Sequence, residues 1–161
     1  MDQAGKVNGA LCTVFASPIG KLALYTDQNN LLRIDLVDKS IPTTPAESPI
    51  AKQVVQVLTD YFLTGKLAAV PIAPKGTEFQ QSVWQALTKI PTGKTLTYGE
   101  LAQQLGSSAR AIGAACRSNP ILIIIPCHRV TAQNSLGGYM GSTQGEGLKN
   151  KTYLLQKEGA I

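Results

Sequence analysis

The sequence predicts an α+β or α/β protein of two domains, and three observations carry this prediction. Hydrophobic residues cluster on both sides of a polar turn near the N-terminus, an amphipathic helix follows, and the C-terminal half contains short helices with recognisable start signals. A chain of 161 residues with 43% hydrophobic content is long enough to bury a core in each domain. We therefore expect a small sheet-plus-helix domain followed by a mostly helical domain.

The N-terminal domain is predicted to begin as a β-hairpin. The apolar segments 22–24 and 31–37 flank the turn-like residues 28–30. Apolar positions at helical spacing between Ile50 and Phe62 then predict an amphipathic helix that ends near Gly65. This domain is therefore expected to contain one sheet and one helix.

A segment rich in proline, residues 71–76, is the most linker-like part of the chain. We place the boundary there, which gives an N-terminal supporting domain over residues 1–75 and a C-terminal domain over residues 76–161. Residues 76–161 carry eight Lys/Arg against four Asp/Glu, whereas residues 1–75 carry seven against six. The net charge of +5 is therefore concentrated where a polyanion would bind.

Two helix starts and a tight turn predict a helix-turn-helix in the C-terminal domain. Residues 77–80 and 97–100 both match the capping box, in which a Thr oxygen and a Glu or Gln side chain satisfy backbone N–H groups at a helix start. The helix that begins near Tyr98 stops at Gly106, and another helix over about 109–117 follows almost at once. Any helical domain has such corners, so the spacing alone leaves simple packing and DNA binding both open.

The second helix of this motif consists almost entirely of small residues and two arginines, Arg110 and Arg117. Ala111, Gly113 and Ala114 would let its backbone approach another surface closely, and a mid-helix glycine costs about 1 kcal/mol of helix propensity relative to alanine. The approached surface is either another helix, with the arginines as solvated charges, or a groove lined by phosphates.

Cys127 is the candidate nucleophile. The β-branched run 121–125 predicts a buried strand that delivers the sequence Pro-Cys-His-Arg-Val, residues 126–130, to its end. Most cysteines in such positions are small core residues, but this one lies beside His128, the only histidine, and beside Arg129. Such neighbours lower the pKa of a thiol, and the thiolate is the nucleophile. Because adjacent residues do not bring their side chains face to face, a bridging water would link Cys127 to His128.

Cysteine and histidine usage limits the other classes of protein. Three cysteines form no CxxC pair, and their odd number argues against a disulfide framework, which favours a reducing cytoplasm. With a single histidine, a zinc site would need ligands from scattered positions, so we expect neither a metal nor a cofactor. The longest apolar run, residues 121–125, is too short to span a bilayer, and no basic run precedes an apolar stretch at the N-terminus. We therefore expect neither membrane insertion nor secretion.

Residues 76–161 resemble, throughout their length, the O6-alkylguanine-DNA alkyltransferases, also called methylated-DNA–protein-cysteine methyltransferases. The family signature Pro-Cys-His-Arg-Val is present at 126–130, and Pro18-Ile19-Gly20 with Tyr61-Phe62-x-x-Gly65 extends the resemblance more weakly to the front. The other motifs that carry it are, in order, Gly76-Thr77-x-Phe79-Gln80, Val83-Trp84, Ile90-Pro91-x-Gly93, Thr97-Tyr98-Gly99-x-Leu101-Ala102, Arg110-Ala111, Asn119-Pro120, Gly138-Tyr139 and Lys151-x-x-Leu154-Leu155-x-x-Glu158-Gly159.

The resemblance implies both a fold and an activity. The N-terminal domain would be ribonuclease H-like and the C-terminal domain winged-helix-like. A monomer would bind double-stranded DNA through the minor groove, turn out an O6-alkylguanine and transfer its alkyl group irreversibly to Cys127, once per molecule. O4-alkylthymine would be a further substrate.

The resemblance also implies roles for individual residues. Cys127 would accept the alkyl group, His128 would draw its proton through water, and Glu158 would support His128. Tyr98 would contact the extruded base and help neutralise it as it leaves, and Asn119 would tie the recognition helix to the active-site turn.

Further implied roles concern DNA and the pocket. Arg110 would enter the base stack and fill the gap left by the extruded nucleotide, and the backbone carbonyls of Cys127 and Val130 would read the guanine amino group. The remaining DNA contacts would come from Ala111, Gly113, Ala114 and Arg117, and the remaining pocket residues would be Arg129, Tyr139, Met140 and Gly141.

Three features depart from the usual family pattern, and they concern the range of substrates. The turn between Gly106 and Arg110 is about two residues shorter, Met140 stands where a small residue is common, and Ser142 to Glu146 resembles an insertion.

Two rival functions stay open at this point. One is a binding module that grips alkylated DNA without repairing it, although in such modules the cysteine is replaced. The other is a thiol hydrolase or peroxidase that uses Cys127 and His128, which would not need the helix-turn-helix.

Overall fold

The computed structural model describes residues 10–140 and 145–161, and these residues adopt the predicted α+β architecture. The chain divides into two compact units. The first comprises the described residues up to Lys75 together with Pro120–Leu122, and the second comprises Gly76–Asn119 with the described part of 123–161. None of the described helices is both long and apolar enough to cross a membrane.

The first unit contains a three-stranded antiparallel sheet. Its strands are β1 (Leu11–Ser17), β2 (Gly20–Thr26) and β3 (Leu31–Val37), in the order β1-β2-β3. Strands β2 and β3 form the predicted hairpin, with Leu24 opposite Ile34. Strand β1 was not predicted, because its sequence, with exposed Leu11 and Cys12, lacks a clean alternation of apolar and polar residues.

The predicted helix, α1 (Pro49–Thr64), contacts this sheet. The Ser48 hydroxyl caps its start by accepting from the Ala51 backbone N–H at 3.1 Å, and proline occupies the first turn. The helix ends at Gly65, whose φ of 78° is the left-handed conformation that glycine adopts without strain. Its apolar stripe completes the core of this unit.

The second unit is mostly helical. A parallel pairing of two very short strands accompanies the helices. In chain order the elements are α2 (Glu78–Thr88), β4 (Leu96–Thr97), α3 (Tyr98–Leu105), α4 (Ala109–Arg117), a single 3-10 turn (Cys127–Arg129), β5 (Val130–Thr131) and α5 (Glu146–Glu158).

Both predicted capping boxes are present, at the starts of α2 and α3. The Thr77 and Thr97 hydroxyls accept from backbone N–H groups at 3.1 and 3.0 Å, and the N3 side chains accept the reciprocal bonds. Helix α3 ends at Gly106, whose φ is 64°, and Ser108 caps α4 almost immediately. Helices α3 and α4 therefore form the predicted helix-turn-helix corner.

A buried tryptophan fixes the position of α4. The indole Nε1 of Trp84, on α2, donates to the Ala115 carbonyl at 2.9 Å. Ile112 and Ala115 are buried on the same side of α4, while Arg110, Ala114 and Arg117 are exposed. One face of α4 is thus anchored to the core, and the face with the arginines is left to solvent.

The predicted buried strand over residues 121–125 is wrong. Ile121 forms one isolated bridge with Ile34, and residues 122–124 form a turn in which Ile123 has a φ of +73°. A short apolar run does not distinguish a strand from a buried turn, and burial alone was predicted correctly. A β-branched residue with a positive φ is strained and persists only where tertiary packing holds it. A packed turn, and not the end of a strand, therefore delivers Cys127.

Candidate active site

Cys127 begins the 3-10 turn that follows this buried segment. Its backbone N–H donates to Ile125 at 2.8 Å, and the N–H of Val130 donates back to the Cys127 carbonyl. The residue is only 5% exposed, and it lines a cavity. Burial raises the pKa of the Cys127 thiol, while a hydrogen bond from Asn119 and the charge of Lys151 act in the opposite direction.

Asn119 connects the end of α4 to the thiol. Its Nδ2 donates to the Ile125 carbonyl at 2.8 Å and to the Sγ of Cys127 at 3.2 Å. Its backbone N–H donates to the Cys116 carbonyl at 3.2 Å. The amide fixes the active-site turn against the helix and supplies a donor to the sulfur, which favours the thiolate.

His128 and Glu158 form a buried pair. The Nε2 of His128 lies 2.6 Å from the Oε2 of Glu158, and neither side chain is exposed to solvent. Burial lowers the pKa of His128, and the Glu158 carboxylate opposes that shift. With Nε2–H donating to the carboxylate, Nδ1 is the acceptor of the neutral ring, and Nδ1 has no hydrogen-bond partner within the described residues.

Arg129 binds Glu158 and does not line the cavity. Its Nε donates to Oε1 at 2.8 Å and its Nη2 to Oε2 at 3.2 Å. The remaining donors reach the Ile90 carbonyl and the Thr92 hydroxyl at 2.6 and 3.1 Å. The pocket position implied for Arg129 is therefore corrected: a guanidinium with this many buried partners orients the carboxylate that orients His128.

The cavity beside Cys127 has a volume of about 480 Å³, within the usual range for pockets that hold a small organic group. It brings together the active-site turn, the helix-turn-helix and the segment before residue 141. The lining residues are Tyr98, Ala109, Arg110, Gly113, Cys116, Arg117, Cys127, Gly138, Tyr139 and Met140.

Some of the implied site residues lie elsewhere. Val130 is fully buried and does not line the cavity, and its carbonyl accepts from Lys151. Ala111 and Ala114, which were predicted as DNA contacts and not as cavity residues, lie on α4 outside the cavity lining. Gly141 and most of the Ser142 to Glu146 insertion, residues 142–144, fall outside the described residues, while Glu146 begins α5.

Tyr98 forms part of the cavity wall as the first residue of α3. Burial raises its pKa to about 12, with further contributions from the thiols of Cys116 and Cys127. The phenol is thus protonated at neutral pH and can act as a hydrogen-bond donor to a molecule in the cavity.

Lys151 is a site residue to which the sequence analysis gave no role. Its Nζ is fully buried, donates to the carbonyls of Val130 and Gly138 at 2.6 and 2.9 Å, and lies 5.9 Å from the centroid of the Tyr98 ring. Burial lowers its pKa to about 8. The sequence contains a signal for the burial of Lys151. It lies on the same face of α5 as Leu154, Leu155 and Glu158, and that face packs against the core.

Cys116 was also missed. It lines the cavity from the last turn of α4, and burial raises its pKa to about 12. In the sequence Cys116 is one of several small residues on that helix, and no pattern distinguishes it from the others. Within the described residues no cluster of three or more His, Cys, Asp or Glu side chains is placed to hold a metal.

Together these features define a protein in which a cysteine at a cavity lies next to a buried His–Glu pair and beside a helix-turn-helix. Residues 78–160 match the family model described as 6-O-methylguanine DNA methyltransferase, DNA binding domain. The chain belongs to the methylated-DNA–protein-cysteine methyltransferase family, as the sequence motifs predicted.

Relatives match along most of their length. The chain is 40% identical to the methylated-DNA–protein-cysteine methyltransferase of Methanosarcina acetivorans, over 91% of this chain and 97% of the relative. It is 41% identical to that of Mycobacterium leprae, over 91% of each. Among solved structures, the O6-methylguanine methyltransferase of Mycobacterium tuberculosis is similar at 34% identity and a TM-score of 0.79, covering 94% of this chain and 93% of the other. The structure of the Mycobacterium tuberculosis protein in complex with DNA is similar at 39% identity and a TM-score of 0.76, covering 91% of each chain.

Proposed function

We propose that this protein repairs DNA by transferring the methyl or other alkyl group from the O6 atom of guanine to the Sγ of Cys127. The proposal rests on the surroundings of the Cys127 thiol at the cavity. Asn119 donates a hydrogen bond to the sulfur, and His128, which follows Cys127 in the chain, is hydrogen-bonded to Glu158. The exposed arginines of α4 line the same cavity, which links the thiol to a surface suited to a polyanion.

The first step is deprotonation of the thiol. Glu158 accepts from Nε2–H of His128, which leaves Nδ1 to take the Cys127 proton through a bridging water. The imidazolium that forms is stabilised by the buried carboxylate, while Arg129 holds that carboxylate in place. The thiolate is then generated beside the substrate, where desolvation makes it a stronger nucleophile.

The second step is the transfer itself. The thiolate sulfur forms a bond to the alkyl carbon as the bond from that carbon to guanine O6 breaks, and the electron pair moves onto the base. The Tyr98 phenol, protonated at neutral pH, hydrogen-bonds the departing guanine and stabilises its developing negative charge. The base then takes up one proton, which balances the proton that His128 removed from Cys127 and returns through water. The product is unmodified guanine and a thioether on Cys127, which has no easy hydrolytic exit, so each molecule reacts once.

Guanine recognition would use backbone carbonyls of the active-site turn. The Cys127 carbonyl accepts from the Val130 N–H, and the Val130 carbonyl accepts from Lys151. A carbonyl oxygen has two lone pairs, so the Cys127 carbonyl, on a residue that lines the cavity, could accept a second bond from the guanine amino group. The Val130 carbonyl would have to be exposed by a shift of the active-site turn, because Val130 is buried away from the cavity lining. Tyr139, 3% exposed, would wall the pocket against the base.

The DNA surface would be the exposed face of α4. A Cβ built on Gly113 meets only the Arg117 guanidinium, at 3.7 Å, so internal packing does not require glycine at this position. The helix nevertheless retains a residue that weakens it by about 1 kcal/mol, which suits close approach to an outside partner. Small residues Ala111 and Ala114 extend this face, and Arg117 would contact phosphate.

We infer that the duplex is bound through its minor groove, with α4 as the recognition helix of a winged-helix-like domain. The target base would be turned out into the cavity at a cost of a few kcal/mol, and Arg110 would fill the gap that it leaves. The first unit, which we take to be ribonuclease H-like, would support this domain. The working form would be a cytoplasmic monomer, and O4-alkylthymine would be a second, related substrate.

The proposal is tested by incubating the protein with duplex DNA that carries one O6-methylguanine and analysing its tryptic peptides by mass spectrometry. We expect the peptide Ser118–Arg129 to gain one methyl group and the DNA to regain guanine. The matched control is Cys127→Ser, which should bind the duplex and gain nothing. Tight binding without methyl gain by the unaltered protein would indicate a binding module, and turnover of thioesters or peroxides without methyl gain would indicate a thiol hydrolase or peroxidase.

A further inference from the structure

Two cysteines, and not one, line the cavity. Cys127 lines it from the active-site turn and Cys116 from the last turn of α4. Asn119 is bonded to both residues, since its backbone N–H donates to the Cys116 carbonyl and its side chain donates to the Cys127 sulfur, each at 3.2 Å. Asn119 therefore fixes the backbone of Cys116 and the side chain of Cys127 beside the cavity that both residues line.

The two thiols differ in reactivity. The Asn119 amide and the positive charge of Lys151 favour the thiolate of Cys127, and His128 is next in the chain to accept its proton. Among the described residues none donates to the Cys116 sulfur, and burial raises the pKa of this thiol to about 12, although the charges of Lys151 and Arg117 act in the opposite direction. An oxidant that enters the cavity thus reacts first at Cys127, and Cys116 is the neighbour that can respond.

We propose that Cys116 is a resolving cysteine, so that hydrogen peroxide converts the pair reversibly into a Cys116–Cys127 disulfide. The established family reaction uses one cysteine and does not involve this second thiol. The value of the disulfide to the cell rests on the proposed function, because it would preserve an acceptor thiol that can be used only once.

The reaction balances in two steps. The Cys127 thiolate attacks one peroxide oxygen, the O–O bond breaks, Cys127 becomes a sulfenic acid, and the other oxygen leaves as water after taking up a proton. The Cys116 sulfur then attacks the sulfenic sulfur, the S–S bond forms and the S–O bond breaks, and the hydroxyl leaves as water with the Cys116 proton. Two thiols and one hydrogen peroxide thus give one disulfide and two waters.

The second step decides whether oxidation can be reversed. A disulfide is reduced to two thiols by a dithiol, whereas a sulfenic acid without a resolving thiol is oxidised further to sulfinic acid, which does not return to thiol under those conditions. Without Cys116, oxidation of Cys127 should therefore end in sulfinic acid, and the thiol should not be recovered by a dithiol.

The test treats the full-length protein with hydrogen peroxide and compares it with Cys116→Ser and Cys12→Ser. The second variant is a matched control, because Cys12 is exposed on β1 and does not line the cavity. After digestion, a disulfide between the tryptic peptides Ala111–Arg117 and Ser118–Arg129 is expected in the monomer fraction of the wild type and of Cys12→Ser. Dithiothreitol should then restore iodoacetamide labelling of Cys127 in the wild type and in Cys12→Ser. The recovered fraction, relative to the untreated sample of the same protein, should be at least several-fold larger than in Cys116→Ser.

Three results would overturn the proposal. They are an absence of linked peptides, linked peptides confined to covalent dimers, and equal recovery of labelling in Cys116→Ser and wild type. Because iodoacetamide labelling needs no DNA, each of these results is separate from failure of the alkyl-transfer function, which the methyl gain on Cys127 measures by itself.

Discussion

The Nε2 of His128 lies 2.6 Å from the Oε2 of Glu158, and both side chains are excluded from solvent. A buried carboxylate at this distance selects the tautomer in which Nε2 carries the hydrogen, which leaves Nδ1 as the proton acceptor. Arg129 binds both oxygens of the same carboxylate. In the proposed mechanism, proton transfer from Cys127 would therefore produce an imidazolium beside an anion that is already held in position.

The pH dependence of Cys127 reactivity tests the support from Asn119. Asn119→Ala removes a donor that favours the thiolate, so the thiol pKa rises further and less thiolate exists at neutral pH. Hydrogen bonds to charged groups contribute about 1.5–3 kcal/mol, which corresponds to a shift of about one to two pH units. Iodoacetamide labelling of Cys127 should then rise at a higher pH than in the wild type.

Glu158→Gln should shift the same profile in the same direction, because the amide stabilises the imidazolium less than a carboxylate does. Asn30→Ala, in the turn between β2 and β3, is the control and should leave the profile unchanged. Labelling profiles that coincide for all four proteins would show that neither Asn119 nor Glu158 influences the thiol.

We expect Arg129 to stabilise the folded protein through its buried ion pair with Glu158. Arg129→Met leaves the Glu158 carboxylate buried with one partner fewer, and breaking a buried ion pair in this way costs about 3–5 kcal/mol. Arg33→Met is the control, since the Arg33–Asp35 pair is 39% and 18% exposed and such pairs contribute below about 1 kcal/mol. The free energy of unfolding, measured by urea titration, should separate the two variants, and equal losses would contradict the account.

Some of this site could be predicted from the sequence because local signals are strong. The capping boxes at Thr77 and Thr97 and the glycine at position 106 determine backbone geometry within a few residues, so α2, α3 and α4 were placed correctly. The family motifs identified Cys127 and its neighbours in the chain.

Other features depend on tertiary packing, which no local pattern encodes. The 121–125 run has the composition of a strand, yet the positive φ of Ile123 is set by the buried turn around it. The partners of the Arg129 guanidinium lie on distant parts of the chain, at Ile90, Thr92 and Glu158. Cys116 reaches the cavity only because α4 is rotated so that Ile112 and Ala115 face the core.

We expect Arg110 to increase the rate of alkyl transfer only when the target base must leave the DNA duplex. Arg110→Ala removes an exposed side chain at the cavity, so transfer from duplex DNA should slow by about tenfold or more, since each 1.4 kcal/mol of lost stabilisation is one factor of ten. Transfer from free O6-benzylguanine needs no extrusion and should be unaffected. The matched control is Arg33→Ala, and equal slowing on duplex and free base would remove the proposed role of Arg110.

Met140 is expected to restrict the size of the adduct. Met140 lines the cavity, is 39% exposed and has a φ of +56°. Its long side chain takes up room at the cavity that a smaller residue would leave open. Met140→Ala should raise the ratio of the benzyl-transfer rate to the methyl-transfer rate by about tenfold, the order expected from relieving a few contacts. Leu63→Ala, on α1, is the control. An unchanged ratio in Met140→Ala would show that this side chain does not limit the pocket.

Cys127 is expected to be consumed by the reaction that it performs. The most direct measurement titrates a fixed amount of protein with increasing excesses of duplex DNA that carries labelled O6-methylguanine, and counts the methyl groups transferred at the plateau. We expect a plateau of one methyl group per protein molecule, all of it on Cys127. A plateau well above one equivalent, with unmodified Cys127 recovered at the end, would contradict it.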